Sequence, residues 1–463
     1  MTEYKIRVAG NAIGELSEKI PSNIIALNEL IKNSYDAGAN SVYIVLDTSS
    51  QKLIITDDGS GMNEKDIATL LQVSKSTKHY GKLINGRYIQ GSKGLGFLSV
   101  FKFGDVVTWR TTKDKERIFS INYSDILQLE DVTDYSVSIQ ETNNKNLKKG
   151  TSIEIVLRKS YGVDQLKQYL LDEVNRDKIL NSFIDDNFII YLEIEGETYR
   201  TITDLSLSDY YEDKKLFHVT YNSHSNKIKF EYLNHPKYGL SSTSVTEITA
   251  PLLPMLSRLY LELDLMLYDF TNGRSRVEPN KLFIDPTNTL IEKLIPLIYV
   301  NKNLFNNFTL FDPEITRYKK SGESITQIIG YVQILSDDKE IQFDSDRTQF
   351  QENELTDSIK NALAEINLFI QKNGSDIKKD IKSQNIKNKK TPTGGSSGGG
   401  TPPPKGTDDT PTSGGNNGVN GPGTSTIYEP ILLLSESELF LNVSSEPLVL
   451  SKYIEKSSCQ FNY

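Results

Sequence analysis

The chain has 463 residues, of which 37% are hydrophobic, so it is long enough for two or three domains with sizeable cores. Its formal net charge of −9 argues against a protein that simply coats nucleic acid. The single cysteine, Cys459, excludes an intramolecular disulfide framework, and the four scattered histidines give no zinc-ligand spacing. Because the sequence has neither a long apolar run nor a charged-then-apolar leader, we expect a soluble, cytoplasmic protein without membrane contact.

The first 160 residues alternate the patterns of helices and strands, which is typical of an α/β fold. A helix is predicted where apolar residues recur at helical spacing, and a strand where short β-branched runs end at polar turns. The segments with these patterns are, in chain order, ALNELIKNSYDAGAN (26–40, helix), SVYIVLD (41–47, strand), KLIITDD (52–58, strand), NEKDIATLLQ (63–72, helix), LGFLSVFKF (95–103, helix) and the strands VVTWRT, RIFSINY and GTSIEIVL (106–111, 117–123 and 150–157).

Residues 161–375 predict a second domain, of the α+β class. It contains strand patterns such as TQIIGYVQIL (326–335), and its end, 354–373, predicts a long amphipathic helix. Residues 376–426 are a lysine-rich segment followed by a Gly/Pro/Ser/Thr-rich stretch, which we expect to be a flexible linker because it cannot bury apolar area. Residues 427–463 have strand patterns but are too few to fold alone, so we expect a truncated domain or a partner-binding tail.

Glu29, Asn33 and Asp36 lie on one face of the helix predicted for residues 26–40. Positions i, i+4 and i+7 of a helix fall within roughly 40° of one another, so these polar side chains form a single stripe. The apolar residues of the helix lie mainly to the other side and are expected to face a core. Taken alone, the stripe has a simpler interpretation as a solvated helix face that ends at a glycine cap, Gly38.

IITDDGSGM (54–62) places a carboxylate and two glycines at the end of an apolar strand. Asp57, Gly59 and Gly61 occupy alternate positions, which suits a buried acid with backbone passing close to a ligand. A simple β-turn would explain Asp58 and Gly59. It would not explain the second glycine or the apolar character of the strand.

Two further motifs follow along the chain. GSKGLG (91–96) opens a predicted helix, so its backbone N–H groups suit the binding of phosphate oxygens. A lone G-x-x-G-x-G is a weak signal because glycine-rich turns are common, and the P-loop and Rossmann patterns are absent. Gly150 and Thr151 begin a predicted strand, where β-propensity is the usual explanation for a threonine.

The order and spacing of the four motifs together resemble the GHKL superfamily of ATPases, which includes DNA gyrase B, MutL, histidine kinases and MORC proteins. The superfamily patterns E-x-x-x-N-x-x-D-A, D-x-G-x-G, G-x-x-G-x-G and G-T correspond to residues 29–37, 57–61, 91–96 and 150–151. The resemblance covers roughly residues 10–160. It implies a Bergerat-type α/β sandwich ATP-binding domain over residues 1–160, followed by a transducer-like domain over residues 161–375.

The resemblance implies a site for ATP and Mg²⁺. Glu29 would be the general base that activates the attacking water, Asn33 the magnesium ligand, and Asp36 a supporting residue. Asp57 would accept a hydrogen bond from the exocyclic amine of adenine, supported by the hydroxyl of Thr151. The other residues for which nucleotide contacts are implied are Gly59, Gly61, Met62, Gly91, Lys93, Gly94, Leu95 and Gly96.

Phosphoryl transfer needs positive charge near the γ-phosphate. In the gyrase and MutL branches a lysine from the next domain supplies it, and the sequence does not identify its counterpart here. Lys78 lies between the second and third motifs, Arg87 precedes the glycine-rich motif, and Arg347 precedes the helix at 354–373. We predict these three as candidate phosphate contacts, although a solvated surface cation is the simpler interpretation of each.

From the resemblance we expect Mg-dependent ATP binding and hydrolysis that drive a dimer clamp cycle, with homodimerisation through the ATPase domain. The motifs look closest to bacterial MORC-like or MutL-like proteins, which by analogy suggests a DNA or protein client and a role in DNA transactions or phage defence. The alternative is a non-hydrolysing ATP-sensing module that recruits a partner through the linker and tail. A third interpretation, DNA binding by the lysine-rich segment 372–390, is disfavoured by the acidic net charge.

Overall fold

The structure is a computed structural model, and the part of the chain that it describes falls in fourteen stretches. These are residues 7–73, 78–91, 94, 96–142, 148–158, 162–201, 215–232, 244–251, 257–268, 281–284, 294–307, 309–312, 327–344 and 348–390. The chain divides into two units, Met1–Thr393 and Gly394–Tyr463, and every described residue belongs to the first unit. The predicted tail and the glycine-rich part of the predicted linker therefore lie outside the described residues.

Ten strands and six helices come from the first 200 residues. The strands are β1 (Ser41–Asp47), β2 (Lys52–Asp57), β3 (Leu83–Ile84), β4 (Arg87–Tyr88), β5 (Gly104–Thr112), β6 (Glu116–Asn122), β7 (Gln140–Thr142), β8 (Gly150–Leu157), β9 (Ile189–Ile194) and β10 (Glu197–Arg200). The helices are α1 (Gly10–Glu18), α2 (Asn23–Asp36), α3 (Glu64–Leu70), α4 (Tyr123–Leu127), α5 (Val163–Leu171) and α6 (Glu173–Leu180). Two 3-10 helices cover Gly96–Lys102 and Val132–Asp134.

Eight of these strands form one mixed sheet in the order β10-β9-β1-β2-β8-β5-β6-β7, while β3 and β4 form a separate hairpin. The pairing in the large sheet is antiparallel except between β1 and β9, which run parallel. The first sheet thus extends beyond the boundary predicted at residue 160. This happens because β9 joins the sheet through a crossover, and the pairing partner of such a strand is distant in sequence.

Helix α2 lies against this sheet through its apolar side. Its N-terminus is capped by Ser22, whose hydroxyl accepts a hydrogen bond from the backbone N–H of Ile25. Leu27, Leu30 and Ile31 are buried in the shared core, as predicted, and burying each such side chain contributes about 1.5–3 kcal/mol. The predicted glycine cap is confirmed at Gly38, where φ is +75° and the last carbonyls accept hydrogen bonds in the Schellman pattern.

The segment predicted as a helix at 95–103 forms a 3-10 helix, Gly96–Lys102, rather than an α-helix. Phe97, Leu98, Ser99, Val100 and Phe101 are all buried, and the segment packs on α2. A segment buried on every side has no polar face, so its sequence carries no spacing that distinguishes 3.0 from 3.6 residues per turn.

A second mixed sheet of seven strands follows. Its strands are β11 (Lys215–Asn222), β12 (Lys227–Tyr232), β13 (Ser244–Thr249), β14 (Tyr260–Tyr268), β15 (Leu297–Val300), β16 (Asn303–Phe305) and β17 (Gln327–Leu335), in the order β13-β12-β11-β14-β17-β15-β16. Helix α7 (Glu354–Lys390) covers it with a stripe of buried apolar residues. This helix passes through the division predicted at residue 375 and takes in the lysine-rich segment. No helix within the described ranges has the length and apolar character that a membrane span needs.

The hairpin of β15 and β16 carries the contacts of the second sheet with the first half of the chain. Its two turn residues, Asn301 and Lys302, have φ of +52° and +72°, as a type I′ turn requires. The carbonyl of Asn301 accepts a hydrogen bond from Gln90 Nε2 at 2.7 Å, and Asn303 Nδ2 donates to Asn28 Oδ1 at 3.2 Å. The hairpin therefore touches both α2 and the segment that leads into the glycine-rich motif.

His218 on β11 and Asp264 on β14 form a hydrogen-bonded pair, with 2.7 Å between His218 Nε2 and Asp264 Oδ1. This bond raises the pKa of His218 above its ordinary value of 6.5, while burial opposes the shift. Because the folded-state pKa exceeds the unfolded one, the pair stabilises the fold fully below about pH 6.5. The stabilisation is lost as the pH rises through the folded-state pKa.

We expect Asp264→Asn to lower the titration midpoint of the His218 ring toward 6.5, because the amide removes the negative charge that favours the imidazolium. The midpoint is measured from the ring resonances by NMR, with His79 as an internal reference. An unchanged midpoint in Asp264→Asn would contradict the assignment of the shift to this hydrogen bond.

Candidate functional site

The three polar residues of α2 face the glycine-rich segment that follows β4. A Cβ added at Gly96 would lie 3.5 Å from both Glu29 Oε2 and Asn33 Nδ2, and one added at Gly91 would lie 3.1 Å from Asp36 Oδ2. Gly91 and Gly96 therefore lie against the polar stripe with little space between them. The first and third sequence motifs form one surface.

Asp36 anchors the beginning of the glycine-rich segment. Its side chain is 0% exposed, and its carboxylate accepts hydrogen bonds from the backbone N–H groups of Gln90 at 2.8 Å and Gly91 at 3.0 Å. Lys78 Nζ forms an ion pair with the same carboxylate at 3.0 Å. This arrangement fixes the position of the glycine-rich segment relative to α2, and it places Lys78 beside that segment.

Arg87 was predicted to contact a phosphate, but in the structure it binds backbone carbonyls. Its guanidinium donates hydrogen bonds to the carbonyl oxygens of Tyr35, Ala39 and Asn187, and it stacks 4.8 Å from the centroid of the Tyr35 ring. These carbonyls lie at the C-terminal end of α2 and just before β9, where partial negative charge favours a cation. Arg87 thus holds these two segments together.

Asp57 lies at the end of β2, where three other segments meet its carboxylate. Oδ1 accepts hydrogen bonds from the backbone N–H of Gly59 at 2.9 Å and of Thr151 at 3.3 Å, and Oδ2 accepts from Ser34 Oγ at 3.1 Å. Burial raises the pKa of Asp57, and these hydrogen bonds partly offset that effect. The carboxylate therefore links α2, the glycine turn and β8, which carry the first, second and fourth motifs.

A second polar link runs from the glycine turn to β8 through Thr111. The Thr111 hydroxyl accepts a hydrogen bond from the backbone N–H of Met62 at 2.9 Å and lies 3.0 Å from Thr151 Oγ1. Sequence reasoning missed both Thr111 and Ser34. Ser34 directly follows Asn33 on α2, so its position next to the polar stripe was a usable signal. No sequence signal of this kind exists for Thr111, because only the pairing of β5 with β8 brings it to the site.

The glycine turn after β2 needs both of its glycines. Gly61 has φ of +66°, and a Cβ added there would lie 2.0 Å from the carbonyl oxygen of Thr112. A Cβ added at Gly59 would lie 2.9 Å from the Cβ of Ala37. The turn thus packs its backbone directly against β5 and the end of α2, which leaves no space for a side chain.

Three of the predicted site residues, Lys93, Leu95 and Arg347, lie outside the described residues. Gly94 is described and has φ of +64°. Among the others, Glu29, Asn33 and Asp36 lie against Gly91 and Gly96, and Asp57 accepts hydrogen bonds from Gly59 and Thr151.

Residues 22–154 match the family model described as "Histidine kinase-, DNA gyrase B-, and HSP90-like ATPase". Over this range the chain is similar to the GHKL-type ATPases. All four sequence motifs and every hydrogen bond of Asp57 fall inside this range. The mixed sheet beneath α2 is consistent with the fold of that family.

Several curated proteins are similar to parts of the chain. A putative type II restriction enzyme HgiDII from Herpetosiphon aurantiacus is 28% identical over 193 residues, which is 40% of this chain and 31% of the relative. DNA mismatch repair protein MutL from Bradyrhizobium diazoefficiens is 38% identical over 68 residues, covering 14% of this chain and 11% of the relative. MutL from Elusimicrobium minutum is 43% identical over 67 residues, or 14% of this chain and 10% of the relative. The chain thus spans a third or less of these relatives.

Gly61 and Gly86 offer a matched pair of substitutions, because both have a left-handed φ but only Gly61 is enclosed. Gly86 has φ of +80° and nothing within 4 Å of an added Cβ. We expect Gly61→Ala to destabilise the protein by about 2–5 kcal/mol, from backbone strain plus overpacking. Gly86→Ala should cost only about 1 kcal/mol, from strain alone. Thermal unfolding of the full chain measures both, and equal losses would contradict the close packing at Gly61.

Proposed function

We propose that the GHKL-type domain binds ATP with Mg²⁺ and hydrolyses it. One observation carries the proposal: the polar stripe of α2 faces the glycine-rich segment, while Asp57 lies at the end of the adjacent strand. A nucleotide needs a polar acceptor for its base and backbone donors for its phosphates, and these lie here at two ends of one region. The match of residues 22–154 to the GHKL family supports the same substrate.

Asp57 would recognise the base through its carboxylate. Its Oδ1 already accepts two backbone N–H groups, so Oδ2, next to the Ser34 hydroxyl, is the oxygen that would accept the exocyclic amine of adenine. A guanine would present a carbonyl oxygen at the same position, which repels a carboxylate. The Thr151 hydroxyl, Met62 and the backbone of Gly59 and Gly61 would complete the base pocket.

The phosphates would lie beside the polar stripe of α2, where the glycine-rich segment meets it. Gly94 and Gly96 would present backbone N–H groups, while the N–H of Gly91 donates to Asp36, and Lys78 and Lys93 are the proposed cations. Asn33 would hold Mg²⁺ together with phosphate oxygens, and its neutral amide oxygen next to Gly96 is a suitable donor for that ion. When bound, Mg²⁺ neutralises charge on the phosphates during transfer.

Glu29 would act as the general base. Its Oε2 lies on the side of α2 that faces Gly96, next to the Asn33 amide. A carboxylate at this place can accept the proton of a water that attacks the γ-phosphorus. The role of Asp36 would be to hold the glycine-rich segment in register with Glu29 and Asn33.

We further propose that nucleotide binding drives a clamp cycle in a homodimer. The β15–β16 hairpin supports this because it contacts two segments at the phosphate end of the site: Asn303 bonds to Asn28, next to Glu29, and Asn301 bonds to Gln90, next to Gly91. Movement of the glycine-rich segment would therefore be transmitted to the second sheet. The names of the relatives, a mismatch repair protein and a putative restriction enzyme, support a DNA client for the clamp, by analogy.

The alternative function is an ATP sensor that does not hydrolyse its ligand and recruits a partner through the linker and tail. It is favoured by the absence, among the described residues, of an identified cation from the second sheet at the phosphate region. Turnover separates the two functions, because both predict nucleotide binding and only the first predicts hydrolysis.

We expect Glu29→Ala to reduce Mg-dependent ATP hydrolysis by about 100-fold to 10,000-fold while ATP binding persists, because the variant removes the group that takes the proton of the water. Steady-state phosphate release and equilibrium binding of ATP are measured on the full chain, with and without duplex DNA. Glu15→Ala, an exposed glutamate of α1, is the control and should match the wild type. Hydrolysis unchanged by Glu29→Ala would exclude the proposed base, and binding without turnover in the wild type would favour the sensor.

A further inference from the structure

Lys32 is a buried lysine next to the proposed general base. Its side chain is 3% exposed, and its Nζ lies 2.6 Å from Glu29 Oε1, one helical turn away on α2. The second oxygen of the same carboxylate, Oε2, lies toward Gly96 and the Asn33 amide. The two oxygens of Glu29 therefore have different surroundings, a cation at one and the glycine-rich segment at the other.

The burial of Lys32 makes this pair different from an ordinary helical ion pair. Exposed pairs at i and i+3 stabilise a helix by only about 0.2–0.5 kcal/mol, because water screens them. A buried ammonium has lost that screening, so its effect on a carboxylate at 2.6 Å is much stronger. A directed hydrogen bond from such a cation fixes the plane of the carboxylate.

We propose that Lys32 is a positioning residue that holds the Glu29 carboxylate in a fixed orientation for proton transfer. This inference rests on the proposed hydrolysis. In the step concerned, the water oxygen forms a bond to the γ-phosphorus, and the bond from that phosphorus to the bridging oxygen breaks. The electron pair of the broken bond leaves on ADP, and Glu29 Oε2 takes the proton of the water. Lys32 stays bound to Oε1 throughout and does not touch the substrate.

The kinetic test compares Lys32→Met, which keeps the length of the side chain and removes its charge, with Lys52→Met. Lys52 forms an ion pair of the same length with Glu154. The side chains of Lys52 and Glu154 are both partly exposed on the outer side of the sheet. We expect Lys32→Met to lower kcat about 10-fold to 100-fold with little change in KM for ATP. Lys52→Met should leave both unchanged.

A double substitution separates positioning from a general loss of stability. If Lys32 acts through Glu29, then Lys32→Met should have no further effect on kcat in a Glu29→Gln background. Lys32→Arg, which restores the charge, should recover part of the rate and should fold even if Lys32→Met does not. A full additional loss in the double variant would overturn the proposal, and so would a rate increase in Lys32→Met.

A readout that needs no turnover keeps this inference distinct from the proposed function. The antisymmetric stretching band of the Glu29 carboxylate, identified by its loss in Glu29→Gln, is recorded by infrared spectroscopy of the full chain. We expect this band to shift in Lys32→Met, because Oε1 loses its hydrogen bond, and to stay near the wild-type position in Lys32→Arg. An unchanged band in Lys32→Met would refute the inference whether or not the wild type hydrolyses ATP. Conversely, a shifted band in a protein without turnover would refute only the proposed hydrolysis.

Discussion

The carboxylate of Asp57 is the group on which the arrangement of the site depends. It lies at the end of an apolar strand, where an ionised group is unfavourable unless hydrogen bonds compensate for the loss of water. The donors that compensate come from three different segments: Ser34 of α2, Gly59 of the turn and Thr151 of β8. The requirement to satisfy one buried acid thereby brings together residues from three separate motifs.

Helix α2 extends this constraint to the phosphate end of the site. Its apolar side is buried against the sheet, so its polar stripe cannot shift without disturbing the core. Asp36 then binds the two backbone N–H groups at which the glycine-rich segment begins. The distance between the proposed base pocket and the proposed phosphate region is therefore set by a packed helix rather than by loops, which suits the alignment of a nucleotide.

Much of this architecture could be predicted from the sequence because the relevant signals are local. The strands β1 and β8 have the predicted bounds, and α3 begins directly after Asn63, whose side chain and that of Asp66 form a capping box. The spacing of residues along the sequence also indicated the polar stripe of α2 and the two turn glycines. Their assignment to an ATP site came from the resemblance to a family and not from the spacing itself.

The remaining features depend on contacts between distant parts of the chain. The parallel pairing of β9 with β1 moves the edge of the first sheet past residue 160, and no local pattern reports such a crossover. Arg87 resembled a phosphate ligand because it precedes the glycine-rich motif. In the structure its guanidinium donates hydrogen bonds to three backbone carbonyls. Lys32 and Thr111 became visible only when burial and strand pairing were known, since neither belongs to a recognisable motif.

The most direct test of the account is the base selectivity that Asp57 confers. Binding of Mg-ATP and Mg-GTP to the wild type and to Asp57→Asn is measured by calorimetry on the full chain. The account predicts that the wild type prefers ATP by at least about 100-fold, because a buried carboxylate repels the guanine oxygen. In Asp57→Asn the amide oxygen would take the backbone N–H groups and the NH₂ would face the base, so the preference should vanish through weaker ATP binding. Equal binding of the two nucleotides by the wild type, or an ATP affinity unchanged by Asp57→Asn, would contradict it.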